Sequence, residues 1–479
     1  MNAVFTLRPI VACLGVALVL AGCSLAPTYE RPESPVPEQF PGTSEQPVDD
    51  ATPAADLGWS EFFRDQRLVA LIDLALENNR DMRIAVDRVE EARAQYGVAQ
   101  SDRLPTIGIG GNAQHTHNPP RLRMPGPDSD AVSRVYTAGI GLTSFEIDFF
   151  GRLKNLSEAA FERFLATEQA QRTVQINLVA QVAEAYFRYR TSQQLKGLMD
   201  KTLKSRQDTF DLVQARFDNG VASALDINQA RSQLKTVQAD LASIKRQQSR
   251  AQNALEVLVG VSMPDDLPDA SEFGRGQLLE HIPEGLPSDL LVRRPDIIAA
   301  EHSLKAGNAD IGAARAAFFP NISITGLLGF ASPQLGGLFG SGNRYWQYSP
   351  QIQTPIFGGG QSGTLDAAEA RKNIAVSEYE KTIQQAFREV ADALAGEETY
   401  SDELDSLREL EESGLDAVEL ARLRYETGVD SFLQVQTAEV NLYATQQQFL
   451  QTGMDSLLNR VELYKALGGG WVRDSSDAS

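Results

Sequence analysis

The sequence predicts a mixed α and β chain built from two tandem repeats, each supplying two strands and a set of long helices. Three observations lead to this prediction. A fifteen-residue segment occurs twice, at 216–230 and 424–438, and several short runs alternate between apolar and polar residues. In addition, the stretches 154–217 and 361–425 contain no proline and are rich in residues that favour helix.

The repeated segment reads RFDNGVASALDINQA in its first copy and RYETGVDSFLQVQTA in its second, with an offset of 208 residues. Each copy is typical of a helix–turn–helix corner, because glycine supplies the left-handed conformation that ends one helix and serine can cap the next. A corner explains the form of each copy. It does not explain why the chain carries two.

The first 22 residues have the pattern of an export signal, with Arg8, an apolar run from Ile10 to Leu20 and small residues before Cys23. The apolar run is too short to span a membrane as a helix. The stretch LAGC at 20–23 resembles a bacterial lipoprotein signal, whose cleavage leaves Cys23 as an acylated first residue. In the lipoproteins it resembles, aspartate after the cysteine favours retention at the inner membrane. Ser24 therefore indicates the outer membrane.

Composition excludes one class of partner. The chain has 44 basic and 64 acidic residues and a formal charge of −20, which repels nucleic acid. The other cysteine, Cys13, lies in the segment that cleavage would remove, so we expect no disulfide in the mature protein.

The predicted organisation has five parts. They are a signal peptide at 1–22, an extended Pro-rich strap at 23–57, a first repeat at 58–270, a second repeat at 271–470 and a polar tail at 471–479. The predicted strand pairs lie at 104–150 and 320–357, joined by loops at 113–133 and 332–343. Each pair ends in a matching element, FFGRL at 149–153 and IFGGG at 356–360.

Helices fill the remainder of each repeat. We predict helices before the strands at 67–102 and 294–318, long helices at 154–217 and 361–425, and return helices at 225–258 and 433–467. A helix of about 64 residues rises roughly 95 Å, more than a compact domain requires.

The strands have one apolar and one polar face. Ile322, Ile324, Leu328 and Phe330 alternate with Asn321, Ser323 and Thr325. Four strands cannot close a barrel, and an open sheet edge is not tolerated in a bilayer. We therefore predict that several copies share one barrel: two copies give eight strands, three give twelve and four give sixteen, and only the larger numbers leave an open lumen. The alternative is a soluble sheet in a coiled-coil protein.

From Trp59 to about Trp471 the chain resembles the TolC/OprM family of outer-membrane efflux channels, in particular its lipoprotein branch. The resemblance rests on Cys23, on GWSEFFRDQRLVALIDLALENN at 58–79, on RRPDIIAAE at 293–301, on the two FG strand ends and on both repeated turns. It implies a homotrimer with a twelve-stranded outer-membrane barrel and a periplasmic α-helical tunnel. It also implies a passive exit duct for small molecules, working with a periplasmic membrane-fusion adaptor and an inner-membrane pump of the RND type.

The same resemblance places six turns, two from each of three chains, at the periplasmic tip, which closes the channel at rest and receives the adaptor. The implied docking residues are Arg216, Gly220, Val221, Ser223, Leu225, Arg424, Gly428, Val429, Ser431 and Leu433; the polar gate candidates are Asp218, Asp226, Tyr425 and Asp430. This chain departs from the family at Gln434 and Thr437, where members with an acidic ring carry aspartate.

No enzyme motif competes with this interpretation. His115 and His117 form a metal-like pair but lack further ligands, and we expect them to be solvated in the first loop. GGGQSG at 358–363 lacks the lysine and threonine of a phosphate loop and predicts a strand-to-helix hinge. We therefore expect no catalytic site, metal or cofactor. Two other functions stay open, a type I secretion channel and a non-conducting structural envelope lipoprotein.

Overall fold

A computed structural model describes residues 24–40, 54–119, 121, 131–279, 282 and 287–478. The predicted signal peptide and Cys23 lie outside these residues. The described chain forms two compact units, of which the first contains 24–32, 89–167 and 300–379. The second contains the remaining described residues.

The chain contains four strands and nine α-helices within the described residues. The strands are β1 Ile107–His117, β2 Val132–Glu146, β3 Asn321–Ser332 and β4 Arg344–Gln353. The helices are α1 Trp59–Phe62, α2 Gln66–Asn78, α3 Arg80–Ser101, α4 Arg152–Asp218, α5 Ala224–Val259, α6 Pro287–Arg293, α7 Pro295–Ala316, α8 Gln361–Glu426 and α9 Phe432–Ala466. None of the helices described is long and apolar enough to cross a membrane.

The four strands form one antiparallel sheet in the order β1-β2-β3-β4. Its register aligns an apolar row across all four strands, made of Ile109, Ile140, Leu328 and Trp346. All four side chains are exposed in the single chain, and Ile109 reaches 89%. The adjacent row, on the opposite face, is Gly108, Gly141, Leu327 and Gln347. The predicted alternation of faces is therefore confirmed.

Gly139 of β2 and Gly329 of β3 face each other in the ladder, where the two backbones lie close together. A Cβ atom on Gly329 would lie 2.1 Å from the carbonyl oxygen of Ala138, and one on Gly139 would lie 2.5 Å from that of Leu328. Both distances are far below a normal contact, so only glycine allows this spacing.

The first strand pair differs from the prediction. Strand β1 continues to His117 and β2 already begins at Val132, so the connecting loop is shorter than 113–133. His115 is thus a strand residue, whose Nε2 lies 3.0 Å from the Tyr136 hydroxyl, and its predicted place in a solvated loop was wrong. At the other end β2 stops at Glu146, after a bulge between Leu142 and Phe145.

Both long helices are continuous. Helix α4 has 67 residues and α8 has 66, close to the predicted limits. The predicted hinge also forms, because Gly358, Gly359 and Gly360 all have positive φ immediately before α8. Gly151 has the same conformation before α4.

The single helix predicted at 67–102 is two helices, separated at Asn79. The Asn79 Oδ1 accepts hydrogen bonds from the backbone N–H groups of Asp81 and Met82, which caps α3. Its Nδ2 donates to the carbonyl of Leu258 at 2.9 Å. An asparagine that both caps one helix and binds another chain segment ends α2 in spite of the helical composition around it.

The core of the second unit contains Trp59, Phe62, Phe63 and Tyr464, with Phe62 stacked on Tyr464 at 4.0 Å between ring centroids. The segment predicted as a polar tail packs against this unit. Trp471 Nε1 donates to the carbonyl of Ala55, and Val472 is buried.

Candidate functional site

The two copies of the repeated segment fold into the same backbone turn. In the first copy, the N–H of Val221 donates to the carbonyl of Arg216 at 2.8 Å; in the second, Val429 donates to Arg424 at 2.9 Å. Gly220 and Gly428 both have φ +75°, the left-handed conformation that the sequence predicts for a helix end.

The caps of the two turns differ. Ser223 Oγ accepts from the N–H of Asp226, and the Asp226 carboxylate accepts from the Ser223 N–H, forming a capping box at the start of α5. Ser431 makes no side-chain cap at the start of α9. The predicted serine cap is therefore confirmed in the first copy and wrong in the second. The Asp226 carboxylate thus accepts hydrogen bonds within its own turn.

Asp430 is held by a bidentate ion pair within the second turn. Arg424 donates from Nε to Oδ2 at 2.6 Å and from Nη2 to Oδ1 at 3.1 Å. These hydrogen bonds lower the pKa of Asp430 below its ordinary value, because they stabilise the carboxylate. Asp430 is consequently charged at neutral pH.

Tyr425 joins the two turns. The Arg216 guanidinium lies over its ring at 4.6 Å from the centroid, a cation–π geometry. Burial raises the pKa of Tyr425, and its hydroxyl has no hydrogen-bond partner among the described residues.

An apolar cluster surrounds Tyr425 and packs four helices together behind the turns. Its buried members are Val213, Ile227, Ala230, Tyr425, Phe432 and Val435, from α4, α5, α8 and α9. The two turns of one chain are thus packed side by side.

The remaining predicted residues lie on the surface. Asp218 accepts a hydrogen bond from Gln214, one turn earlier on α4. Four apolar side chains, Val221, Leu225, Val429 and Leu433, are exposed on the turns. Of the predicted polar residues, the structure brings Arg216 to Tyr425 and Arg424 to Asp430. The hydrogen bonds described for the aspartates 218, 226 and 430 are made within their own helix or turn.

A buried ion triad lies further along the same helices. Glu439 on α9 binds Arg206 of α4 through one oxygen and Arg422 of α8 through the other, the latter with its Nε at 2.9 Å. Arg206 is 4% exposed and Glu439 5%. Burial and the nearby Arg422 lower the pKa of Arg206 to about 10, so Arg206 stays charged at neutral pH. Arg422 also donates to Ser205 Oγ at 2.7 Å.

This triad was not predicted from the sequence, although a heptad pattern indicates it. Met199, Arg206 and Val213 are spaced by seven on α4, and Phe432 precedes Glu439 by seven on α9. The apolar members of both series are buried. A charged residue at a core position of a helical heptad requires a charged partner on the facing helix.

Comparison with known proteins identifies the family. The profile described as "Outer membrane efflux protein" matches residues 71–261 and 286–469, one segment within each predicted repeat. The chain belongs to the outer membrane efflux protein family. It is an outer-membrane component of an efflux pump, and the predicted resemblance is confirmed.

The relatives of this efflux protein match over nearly full length. The solvent efflux pump outer membrane protein SrpC of Pseudomonas putida is 44% identical over 462 residues, which cover 95% of this chain and 97% of the relative. The outer membrane protein OprJ of Pseudomonas aeruginosa is 42% identical over 465 residues, covering 96% of both chains.

Solved structures show the same fold. A membrane protein from Pseudomonas aeruginosa superposes with a TM-score of 0.87 at 41% identity, covering 94% of this chain and 98% of the other. The open state of the outer membrane channel MtrE from Neisseria gonorrhoeae gives a TM-score of 0.85 at 36% identity, covering 95% and 100%. The fold class predicted from the sequence is thereby confirmed.

Proposed function

We propose that this efflux protein is the passive exit duct of a tripartite pump, formed by three copies of the chain. The observation that carries the proposal is the sheet, which has an exposed row of four large apolar side chains on one face and a row of two glycines, Leu327 and Gln347 on the other. Its outer strands, β1 and β4, each have one strand neighbour in the described chain. Three copies joined through these edges give twelve strands, an apolar face toward lipid and a lumen.

The transported molecules are small and apolar in this proposal. Relatives over 95% or more of this chain are named for solvent, toluene and antibiotic efflux. Duct function requires no catalytic residue, metal or cofactor. The partners are a periplasmic membrane-fusion adaptor and an inner-membrane pump of the RND type, and Cys23 is acylated and anchors the chain to the outer membrane.

The twin turns are the proposed adaptor-docking surface and gate. Exposed Val221, Leu225, Val429 and Leu433 offer an apolar surface to a partner helix. The Arg424–Asp430 pair and the Arg216–Tyr425 contact hold the turns in one arrangement. An adaptor with higher affinity for another arrangement would shift the population toward it.

Single-channel conductance of the purified trimer in planar bilayers tests the duct. We expect ohmic conductance, and in cells lacking the chain we expect an apolar fluorescent dye to accumulate. A protein that inserts without conducting would instead be a structural envelope lipoprotein. A conducting protein whose loss abolishes export of a polypeptide, with dye accumulation unchanged, would be a type I secretion channel.

A further inference from the structure

The basic residues of the sheet all lie at one end of it. This is the end at which β1 leads to β2 and β3 leads to β4, here called the loop end. The basic residues of the four strands are His115, His117, Arg134 and Arg344, each within two residues of the loop end. The one acid in the described strands, Glu146, lies at the opposite end and is bound to the first residue of α4. The strands therefore carry only basic side chains at the loop end, in a chain with 64 acidic and 44 basic residues.

The register also places these basic residues on the same face as the apolar row. Residues an even number of positions apart on a strand point to the same side of the sheet. Arg134 is six residues from Ile140, and Arg344 is two residues from Trp346, both members of the apolar row. His115 is directly opposite Arg134 in the β1–β2 ladder. Basic and apolar side chains consequently point in the same direction.

An aromatic residue accompanies each arginine. Tyr136 follows Arg134 by two positions and Trp346 follows Arg344 by two, a step of about 7 Å along the strand, away from the loop end. Trp346 is 75% exposed, and the Tyr136 hydroxyl lies 3.0 Å from His115 Nε2. The order from the apolar row outward is thus apolar, aromatic and basic. Membrane proteins follow the same order from the hydrocarbon core to the headgroups.

Both arginines are available to a ligand. They are exposed, and neither makes an ion pair or a side-chain hydrogen bond with any residue that the structure describes. Their acidic competition is small, because the β1–β2 connection at 118–131 contains two arginines and two aspartates, and the β3–β4 connection at 333–343 contains no charged residue. Pairing of β1 and β4 with further strands would use backbone groups and leave the side chains on their face.

We propose that Arg134 and Arg344 bind the phosphate groups of a phosphorylated glycolipid in the outer leaflet of the outer membrane, the lipid A part of lipopolysaccharide. A guanidinium group matches phosphate with two parallel hydrogen bonds. The acyl chains lie against the apolar row, and His115 adds a hydrogen-bonding group beside Arg134. The inference rests on the proposed duct, which turns the apolar row toward lipid and, with α4 and α8 in the periplasm, the loop end outward.

The decisive variants are Arg134→Gln, Arg344→Gln and their combination. The matched control is Arg103→Gln, an exposed arginine beyond the opposite end of β1. A second control exchanges two neighbours, Arg344→Tyr with Tyr345→Arg, which keeps the composition and charge and turns the guanidinium to the other face. Binding of purified diphosphoryl lipid A to detergent-solubilised trimers is measured by native mass spectrometry. Monophosphoryl lipid A and phosphatidylglycerol are the comparison lipids.

We expect the Kd for diphosphoryl lipid A to rise on the order of tenfold with each glutamine, because each change removes charge-assisted hydrogen bonds to phosphate. The exchange variant should match Arg344→Gln, and Arg103→Gln should stay within about twofold of the unaltered trimer. Monophosphoryl lipid A should bind the unaltered trimer more weakly than the diphosphoryl form, and the combined variant should lose this preference.

An unchanged Kd in the combined variant would overturn the proposal and mean that the arginines only extend into the headgroup water. Equally tight, arginine-dependent binding of phosphatidylglycerol would also overturn it and assign the surface to phospholipid. Single-channel conductance of the same preparations tests the duct separately. Conductance together with lipid binding that is independent of the arginines would keep the duct and reject the lipid site. Arginine-dependent binding without conductance would keep the lipid site and reject the duct.

Discussion

Replacing Glu439 by glutamine should strongly destabilise the helical part of the chain. The change removes the only carboxylate in the described triad and leaves Arg206 buried with its charge uncompensated. Breaking a buried ion pair from one side costs about 3–5 kcal/mol. Because the side chain of Arg422 is 41% exposed and can turn toward water, we expect the lower end, about 3 kcal/mol.

A double-mutant cycle separates the loss of the Glu439–Arg206 ion pair from a general loss of stability. Arg206→Met removes the buried guanidinium, and Glu439 keeps its pair with Arg422. In that background Glu439→Gln leaves only the half-exposed arginine unpaired, so its cost should fall to about 1 kcal/mol. Glu409→Gln, an exposed position on α8, is the surface control and should stay within about 0.5 kcal/mol.

The assay is guanidinium unfolding in detergent, followed by helical circular dichroism at one fixed protein concentration, since assembly makes stability depend on concentration. The reasoning is refuted if Glu439→Gln costs the same free energy with and without Arg206. It is also refuted if Glu439→Gln is no worse than Glu409→Gln.

Three other predictions concern the strands and the turns. Leu328→Lys, on the apolar face near the middle of β3, should cost about 2–4 kcal/mol of stability in bilayers, whereas Gln347→Lys on the opposite face should be tolerated; equal tolerance would contradict the assignment of faces. Gly428→Val should cost about 1–2 kcal/mol of stability and weaken crosslinking to the adaptor. The cost comes from the backbone φ of +75°, which valine adopts poorly, since no neighbouring atom would contact the new side chain; unchanged crosslinking would mean that the turn only reverses the chain. Since Arg424 lowers the pKa of Asp430 below the ordinary aspartate value of about 3.9, their pair should persist from pH 7 to 5 and be lost only as the pH falls below that value, so conductance that changes between pH 7 and 5 would assign the gate to other groups.

Sequence patterns predicted the sheet faces and the long helices because both depend on periodicity that extends over many residues. The ends of these elements depend on single contacts, which periodicity does not contain. Asn79 illustrates the difference: its residue type suits a cap, but the break depends on its bond to the carbonyl of Leu258, 179 residues away. The bulge before Glu146 likewise depends on the register of β2 against β3.

The backbone conformation of the turns was predictable from the sequence, and the contacts of their side chains were less so. Glycine at 220 and 428 fixes the left-handed conformation wherever the helices pack, so the duplicated segment predicted both turns. The hydrogen bonds of Asp226 were not predicted, because they are made to donors in its own turn and form a capping box. Local hydrogen bonds of this kind compete with partners on other helices for the same carboxylate.

The sequence differences between the copies explain why Arg424 binds within its own turn whereas Arg216 contacts the other turn. At the position of Asp430 the first copy has Ala222, 208 residues earlier, which cannot accept a hydrogen bond. Arg424 is therefore held within its own turn, whereas Arg216 is left to stack on the Tyr425 ring of the second copy.

The same divergence continues at the buried triad. The counterparts of Arg206, Arg422 and Glu439 in the other copy are Gly414, Gln214 and Arg231, none of which could reproduce the triad. Duplication thus preserves the backbone of two turns, and substitution makes their side chains complementary. Two identical copies of the first sequence would place an arginine at position 439, opposite Arg206 in the core. In this chain Glu439 of the second copy neutralises the charge of Arg206 on a helix of the first copy. An ion pair between non-equivalent positions therefore joins the two repeats.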